Sequence, residues 1–211
     1  MKKIMFNDRY GLTQAVLDGR KTMTRRVIPD IWIDFPRSGR QKAVIAGLNS
    51  QVLMMDLSHV LGENCLFSAD SKYQPKYYKG DEVAVAQSYS SVFDELEANV
   101  SLQAARPILE QSESAGWDNK MFVRADLMPH RIRITDIKVE RLQDISDVDA
   151  IKEGIYDAND FMNPGAYTYF GSTNTYKTPH AAFASLIDRI SGKGTWERNP
   201  WVYAYEFELI K

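Results

Sequence analysis

The chain has 211 residues, 44% of them hydrophobic and 26% charged, the balance of a globular protein with enough material for a proper core. A formal charge of -2 excludes a protein that coats nucleic acid non-specifically, since that affinity comes from phosphate neutralisation, but leaves room for a small basic pocket. The single cysteine, Cys65, excludes an intrachain disulfide and a thiolate metal cluster, and no apolar run approaches the ~18 residues of a membrane span. Because Met1-Lys2-Lys3-Ile4 passes straight into an apolar run, the expected location is cytoplasmic, and the sequon Asn99-Val100-Ser101 carries no glycosylation expectation.

Ile4-Met5-Phe6 reads as a first short strand, followed by Asn7 or Asp8 as a helix N-cap. Leu12, Ala15 and Val16 lie a helical turn apart and predict a short helix through Asp18, with Gly19 suited to a left-handed stop. Residues 22–28 alternate threonine and β-branched positions with arginines and predict a strand ended by Pro29. Its alternation sets Thr22, Thr24 and Arg26 on one face and Met23, Arg25 and Val27 on the other.

From Asp30 to about Gly62 the pattern weakens, with strands expected only at Gln51 to Leu57 and Cys65 to Phe67, so this region reads as an insertion. Lys79-Gly80-Asp81 predicts a turn into a buried strand over Glu82 to Gln87. Phe93, Leu96 and Val100 predict a helix within 89–113, interrupted near Pro107 and closed by Gly116-Trp117-Asp118-Asn119; Met121-Phe122-Val123 reads as another strand. Residues 131–142 form the strongest strand pattern of the middle region. There the apolar face switches from Ile132 and Ile134 to Ile137 and Val139, which predicts a bulge or sharp bend across Thr135-Asp136, of the kind barrels use to close. Ser146-Asp147-Val148-Asp149 resembles a capping box opening a short helix that ends at Glu153-Gly154. A loop rich in Asn, Gly, Thr and Tyr follows over 156–179, then a helix over 181–190 and a final alternating strand from Trp201 to Leu209. Short strands with interspersed helices and few βαβ units predict an α+β protein on a small, mostly antiparallel β-barrel.

Chemistry concentrates in Gly19-Arg20-Lys21-Thr22-Met23-Thr24-Arg25-Arg26, which places four cations beside two hydroxyls in a chain that is otherwise slightly acidic. A P-loop is set aside because Arg20 breaks the Gly-Lys-Thr order. A solvated strand edge, where Lys and Arg discourage pairing, stays open. His59, His130 and His180 lack ligand spacing, so no metal or cofactor is expected, and no nucleophile elbow for serine catalysis occurs. The aromatic stripe Trp201, Tyr203, Tyr205, Phe207 has the residue types to stack bases, but core is the expected role for most of it. The acidic run Asp136, Glu140, Asp144, Asp147, Asp149 and Glu153 reads as a solvated face, with only Glu153 placed to do more, at a helix end before glycine and a long loop.

The stretch Gly19-Arg20-Lys21-Thr22-Met23-Thr24-Arg25, continued by Arg26, resembles the Gly-x-Lys-x-x-Thr-x-Arg signature of ASCH domains, members of the PUA-like superfamily of small RNA-associated β-barrels. Lys79-Gly80-Asp81, Glu140-Arg141-Leu142-Gln143-Asp144-Ile145, Asp149-Ala150-Ile151-Lys152-Glu153-Gly154-Ile155 and Asn199-Pro200-Trp201-Val202-Tyr203-Ala204-Tyr205-Glu206-Phe207 are similar to further blocks of phage-borne and bacterial members. The resemblance implies one elaborated PUA-like domain over 1–211 with peripheral helices and insertions about 30–62, 89–119 and 156–179. It implies binding of RNA or a nucleoside or nucleotide ligand. Some small bacterial members hydrolyse the amide of N4-acetylcytidine with a lysine, a threonine and a glutamate, which carry over onto Lys21, Thr24 and Glu153 as catalytic candidates, with Arg20, Arg25 and Arg26 as ligand-binding candidates. Where many relatives have a Trp-Val-Arg-Glu-Thr type segment, this chain has Ala84-Val85-Ala86-Gln87-Ser88, so the ligand need not be the same. The alternative functions are an amidohydrolase acting on acylated cytidine or a related modified base, and a phage accessory interaction module without catalysis.

Overall fold

The computed structural model describes residues 1–28, 75–98, 102–158 and 165–210, together with the strand segments 32–35, 39–42, 45–48, 52–56 and 66–68. Its centre is a mixed five-stranded sheet built from β1 (Lys2–Ile4), β2 (Met23–Val27), β8 (Glu82–Val85), β9 (Arg131–Arg141) and β12 (Trp201–Ile210), in the order β1-β8-β9-β12-β2. Three of its pairings are antiparallel and β1 with β8 is parallel.

The alternating patterns over 131–142 and 201–209 become β9 and β12, the long strands at the middle of the sheet. On β12, Val202 and Ala204 are as buried as Tyr203, Tyr205 and Phe207, because both faces of a central strand are covered. The aromatic stripe is therefore core, with Tyr205 1% exposed, and burying each such ring contributes about 2 kcal/mol. The bend expected at Thr135-Asp136 is a bulge: Asp136 pairs with Glu206 and Ile134 with Phe207, leaving Thr135 as the extra residue. On β8, Val83 and Val85 enter the main core, while Ala84 and, just past the strand, Ala86 join a second cluster with Tyr89, Val92, Ile108, Val123 and Met128.

The sheet is not closed into a barrel, contrary to the expected PUA-like closure. Its two edges, β1 and β2, do not pair with each other. A three-residue β1 offers too short a ladder, and the chain beyond it turns away through Met5-Phe6-Asn7 into a 3-10 turn. Arg26 of β2 instead reaches across with its side chain, its Nη2 donating to the Met5 carbonyl at 2.6 Å.

Within the region expected as an insertion, β3 (Trp32–Phe35) pairs with β4 (Gly39–Lys42), and β5 (Ile45–Leu48), β6 (Val52–Asp56) and β7 (Leu66–Ser68) form a second small sheet. The strands expected at 51–57 and 65–67 thus correspond to β6 and β7, while Cys65 and His59 lie outside the described residues.

The helices are α1 (Leu12–Leu17), α2 (Tyr89–Ala98), α3 (Leu102–Leu109), α4 (Asp147–Lys152), α5 (Pro179–Ser191) and α6 (Thr195–Arg198). Pro107 sits inside α3 and does not interrupt it, since Pro107 and Gln103, whose carbonyl loses its partner, are both exposed. The Asn99-Val100-Ser101 sequon and the Val100 end of the expected helix lie outside the described residues. Met121-Phe122-Val123 is turn and coil rather than a strand, and the Lys3 ammonium satisfies the Met121 and Val123 carbonyls in place of a ladder. Ser146 caps α4 by accepting from the Asp149 N–H, as its sequence predicted. The 156–179 loop carries a two-residue hairpin of β10 (Tyr156–Asp157) and β11 (Tyr167–Thr168), with 159–164 outside the described residues.

Candidate functional site

The unclosed gap between the sheet edges holds a cavity of about 480 Å³. Thr24, Arg25, Arg26 and Val27 of β2 line one side and Met5, Phe6 and Asn7, just past β1, another. Residues of both β2 faces contribute, because the cavity wraps an edge strand. Ladder parity explains more: Thr22 and Ile28 bond to β12, so the main-chain N–H groups of Arg25 and Val27 point away from β12 toward the free edge. Phe183, Leu186, Ile187 and Ile190 of α5 form an apolar wall.

Lys21 enters from the turn after α1, where Gly19 takes a φ of 72° and the Lys21 N–H bonds the Ala15 carbonyl. Its ammonium donates to Glu153 Oε2 at 2.6 Å and to the Glu153 main-chain carbonyl at 2.7 Å. Both side chains are buried, at 1% and 6% exposure. Glu153 is the C-cap of α4, and Gly154 follows at a φ of 107°, a conformation open to glycine. A Cβ there would crowd Leu12 Cδ2 at 3.1 Å and touch the Lys21 stem, at Cδ, in ordinary contact at 3.9 Å, so the glycine also makes room for Leu12.

Arg25 ties the carboxylates together. Its Nη1 donates to Glu153 Oε1 at 3.2 Å, its Nε to Glu140 Oε1 at 2.9 Å and its Nη2 to Asp149 Oδ2 at 3.2 Å. All three guanidinium nitrogens are thereby engaged, which positions Glu153 and leaves Arg25 little to offer a ligand. Thr24 is 5% exposed, lines the cavity and makes no hydrogen bond through its hydroxyl among the described residues. Arg26 stands beside Phe6, whose ring centroid lies 5.9 Å from the guanidinium and 5.8 Å from the Lys21 ammonium.

Burial pushes the Lys21 ammonium below its ordinary range; the Glu153 carboxylate opposes this without reversing it, and Arg26 and Arg25 add to the lowering. A lysine in this state gives up its proton more readily than a solvated one, and a carboxylate stands in hydrogen-bond contact with it.

Of the sequence-derived candidates, Lys21, Thr24, Glu153, Arg25 and Arg26 all line this cavity. Arg20 does not: its guanidinium pairs with Asp18 at 2.7 Å on the exposed side of the turn, because successive residues there point apart. Glu140 and Asp149, expected on a solvated face, instead pair with the buried Arg25. Asp149 and Glu153 share a helix face at i, i+4 spacing, a signal that was available; Glu140 had none. His130 pairs with Glu95 at 2.7 Å and His180 packs edge-on to Trp196, so neither reaches the cavity. Among the described residues no group of three or more His, Cys, Asp or Glu is arranged to hold a metal, and no helix is long and apolar enough to cross a membrane.

No family model, no curated protein and no solved structure matches this chain.

Proposed function

We propose that the cavity binds a nucleoside-like ligand, taken as a free nucleoside, a nucleotide or an unstacked base of RNA. One observation carries the reading: a cavity of about 480 Å³, within the range of small-molecule sites, sets an apolar wall on α5 against convergent polar groups on β2 and α4. A flat ring packs on the wall, while the hydroxyl, ammonium and carboxylate meet its polar edge. The resemblance of residues 19–26 to the ASCH signature supports the same ligand class, and an open cavity against Lys21 favours a ligand site over a purely scaffolding role. Titration with cytidine, N4-acetylcytidine and a short single-stranded RNA, followed by calorimetry, tests it. Saturable binding that Ile190→Asp, at an exposed position of the wall, weakens is expected; no binding of any of the three overturns the reading.

A second reading follows from the Lys21–Glu153 contact and from the Thr24 hydroxyl in the same cavity, which has no hydrogen-bond partner among the described residues: hydrolysis of an N-acyl group on the bound base. Thr24 Oγ1 attacks the acyl carbonyl as neutral Lys21 accepts its proton. The C–N bond breaks as the amine regains that proton through the Lys21–Glu153 pair, and water then cleaves the threonyl ester to release the carboxylic acid. Chromatography of N4-acetylcytidine incubated with the protein separates the two readings. Cytidine and acetate appear under hydrolysis, whereas unchanged ligand that nonetheless binds leaves the first reading alone.

A further inference from the structure

The charges around the cavity divide unevenly. Three carboxylates, Glu140, Asp149 and Glu153, all engage Arg25, and Glu153 also engages Lys21. None reaches Arg26 or Arg198, and among the described residues neither of these arginines pairs with a carboxylate, although both line the cavity. Arg26 spends one donor on the Met5 carbonyl and Arg198 one on Thr195 Oγ1 at 2.9 Å, so each guanidinium keeps further N–H groups for a ligand. Arg198 comes from α6, beside Thr195 and Ser191, which also line the cavity; Arg26 comes from β2, with Phe6 packed against it. In a chain of net charge -2, two unneutralised guanidiniums on one cavity form a local anion field.

We propose that Arg26 and Arg198 form an anion subsite that reads a phosphate attached to the nucleoside, which makes a nucleotide, rather than a free nucleoside, the preferred ligand. This rests on the nucleoside reading above and adds the charge of the substrate. Geometry divides the labour: the α5 wall takes the ring, Lys21, Thr24 and Glu153 meet its polar edge, and the two arginines take the phosphate oxygens. Guanidinium suits this task because its planar fork donates pairs of parallel hydrogen bonds to phosphate, which an ammonium does not. The inner cations do not compete for it, since their charge is already met by carboxylates.

The test is calorimetric titration of the wild-type protein and of Arg198→Gln with cytidine, cytidine 5′-monophosphate, cytidine 3′-monophosphate and inorganic phosphate, at two salt concentrations. Arg198 is exposed, so its replacement spares the core; circular dichroism and Arg26→Gln serve as the second check. One of the monophosphates is expected to bind at least roughly tenfold more tightly than cytidine, with the preference shrinking in salt and collapsing in Arg198→Gln. The preferred isomer identifies which hydroxyl carries the phosphate. Equal binding of cytidine and both monophosphates overturns the subsite and leaves the nucleoside reading standing, as does a preference that Arg198→Gln and Arg26→Gln both retain. Failure of all four probes to bind overturns the subsite, and the nucleoside reading falls with it when N4-acetylcytidine and the short RNA fail as well.

Discussion

Lys21 and Glu153, 132 residues apart in the chain, meet at 2.6 Å between ammonium and carboxylate, with both side chains out of solvent. Each charge is there because the other is, and Arg25 locks the carboxylate from its second oxygen. Removing one partner strands a buried charge, whereas the pair itself is close to neutral in its net contribution.

Glu153→Ala is therefore expected to be the most damaging single change at the site, since it leaves Lys21 and part of Arg25 uncompensated. A loss of about 3–5 kcal/mol in urea unfolding is expected. Lys21→Met should cost distinctly less, because Glu153 keeps its Arg25 contact. Equal losses in the two variants would contradict this asymmetry.

Lys21 also sets a pH dependence. Its folded pKa is depressed by burial, so between that value and the ordinary 10.5 the unfolded chain holds more protons than the folded one. Stability from this group accordingly rises with pH across that window, and the cost of keeping Lys21 charged is fully present below it. The unfolding free energy of wild type relative to Lys21→Met is expected to increase as pH climbs toward 10.5. If hydrolysis occurs, kcat climbs with pH to a plateau below 10.5, as the neutral amine becomes available.

Thr24→Val removes a hydroxyl that satisfies no hydrogen bond among the described residues and nearly preserves volume. Stability within about 1 kcal/mol of wild type is expected, with ligand binding weakened by one hydrogen bond, about 0.5–1.5 kcal/mol, and not abolished. Hydrolysis of N4-acetylcytidine should fall at least roughly a hundredfold and return in part in Thr24→Ser. Full turnover by Thr24→Val would remove the nucleophile assignment while leaving the cavity's ligand role intact.

Gly154→Ala places a Cβ at 3.1 Å from Leu12 and forces a φ of 107° on an L side chain. A loss of about 1–3 kcal/mol is expected in thermal or urea unfolding. The strain falls next to the Lys21 stem, so acetylcytidine turnover or cytidine affinity should drop as well.

Arg20→Ala is the control. Its partner is Asp18 on the exposed turn, away from the cavity, so stability should stay within about 0.5 kcal/mol of wild type and binding should be unaffected. A large loss of binding would return Arg20 to the ligand site.

Periodicity and turn chemistry alone determined most elements: α1, β2, β8, β9, α4, α5 and β12 follow from spacing, caps and alternation, and even the bulge at Thr135 was written in the switch of apolar face between Ile134 and Ile137. The candidates Lys21, Thr24 and Glu153 were also marked by type and position within their own segments. Local signals reach a few residues, and the decisions beyond that reach belonged to tertiary structure. Whether the sheet closes depends on how the short β1 and the edge of β2 stand to one another across the whole fold, and they stand apart with a cavity between them. The fates of neighbouring arginines were likewise set in space. Arg20 turns to solvent, Arg25 is taken by three carboxylates from β9 and α4, and Arg26 remains facing the cavity, because charge pairing is decided by which distant side chains arrive within a few ångströms and not by the order of residues along the strand.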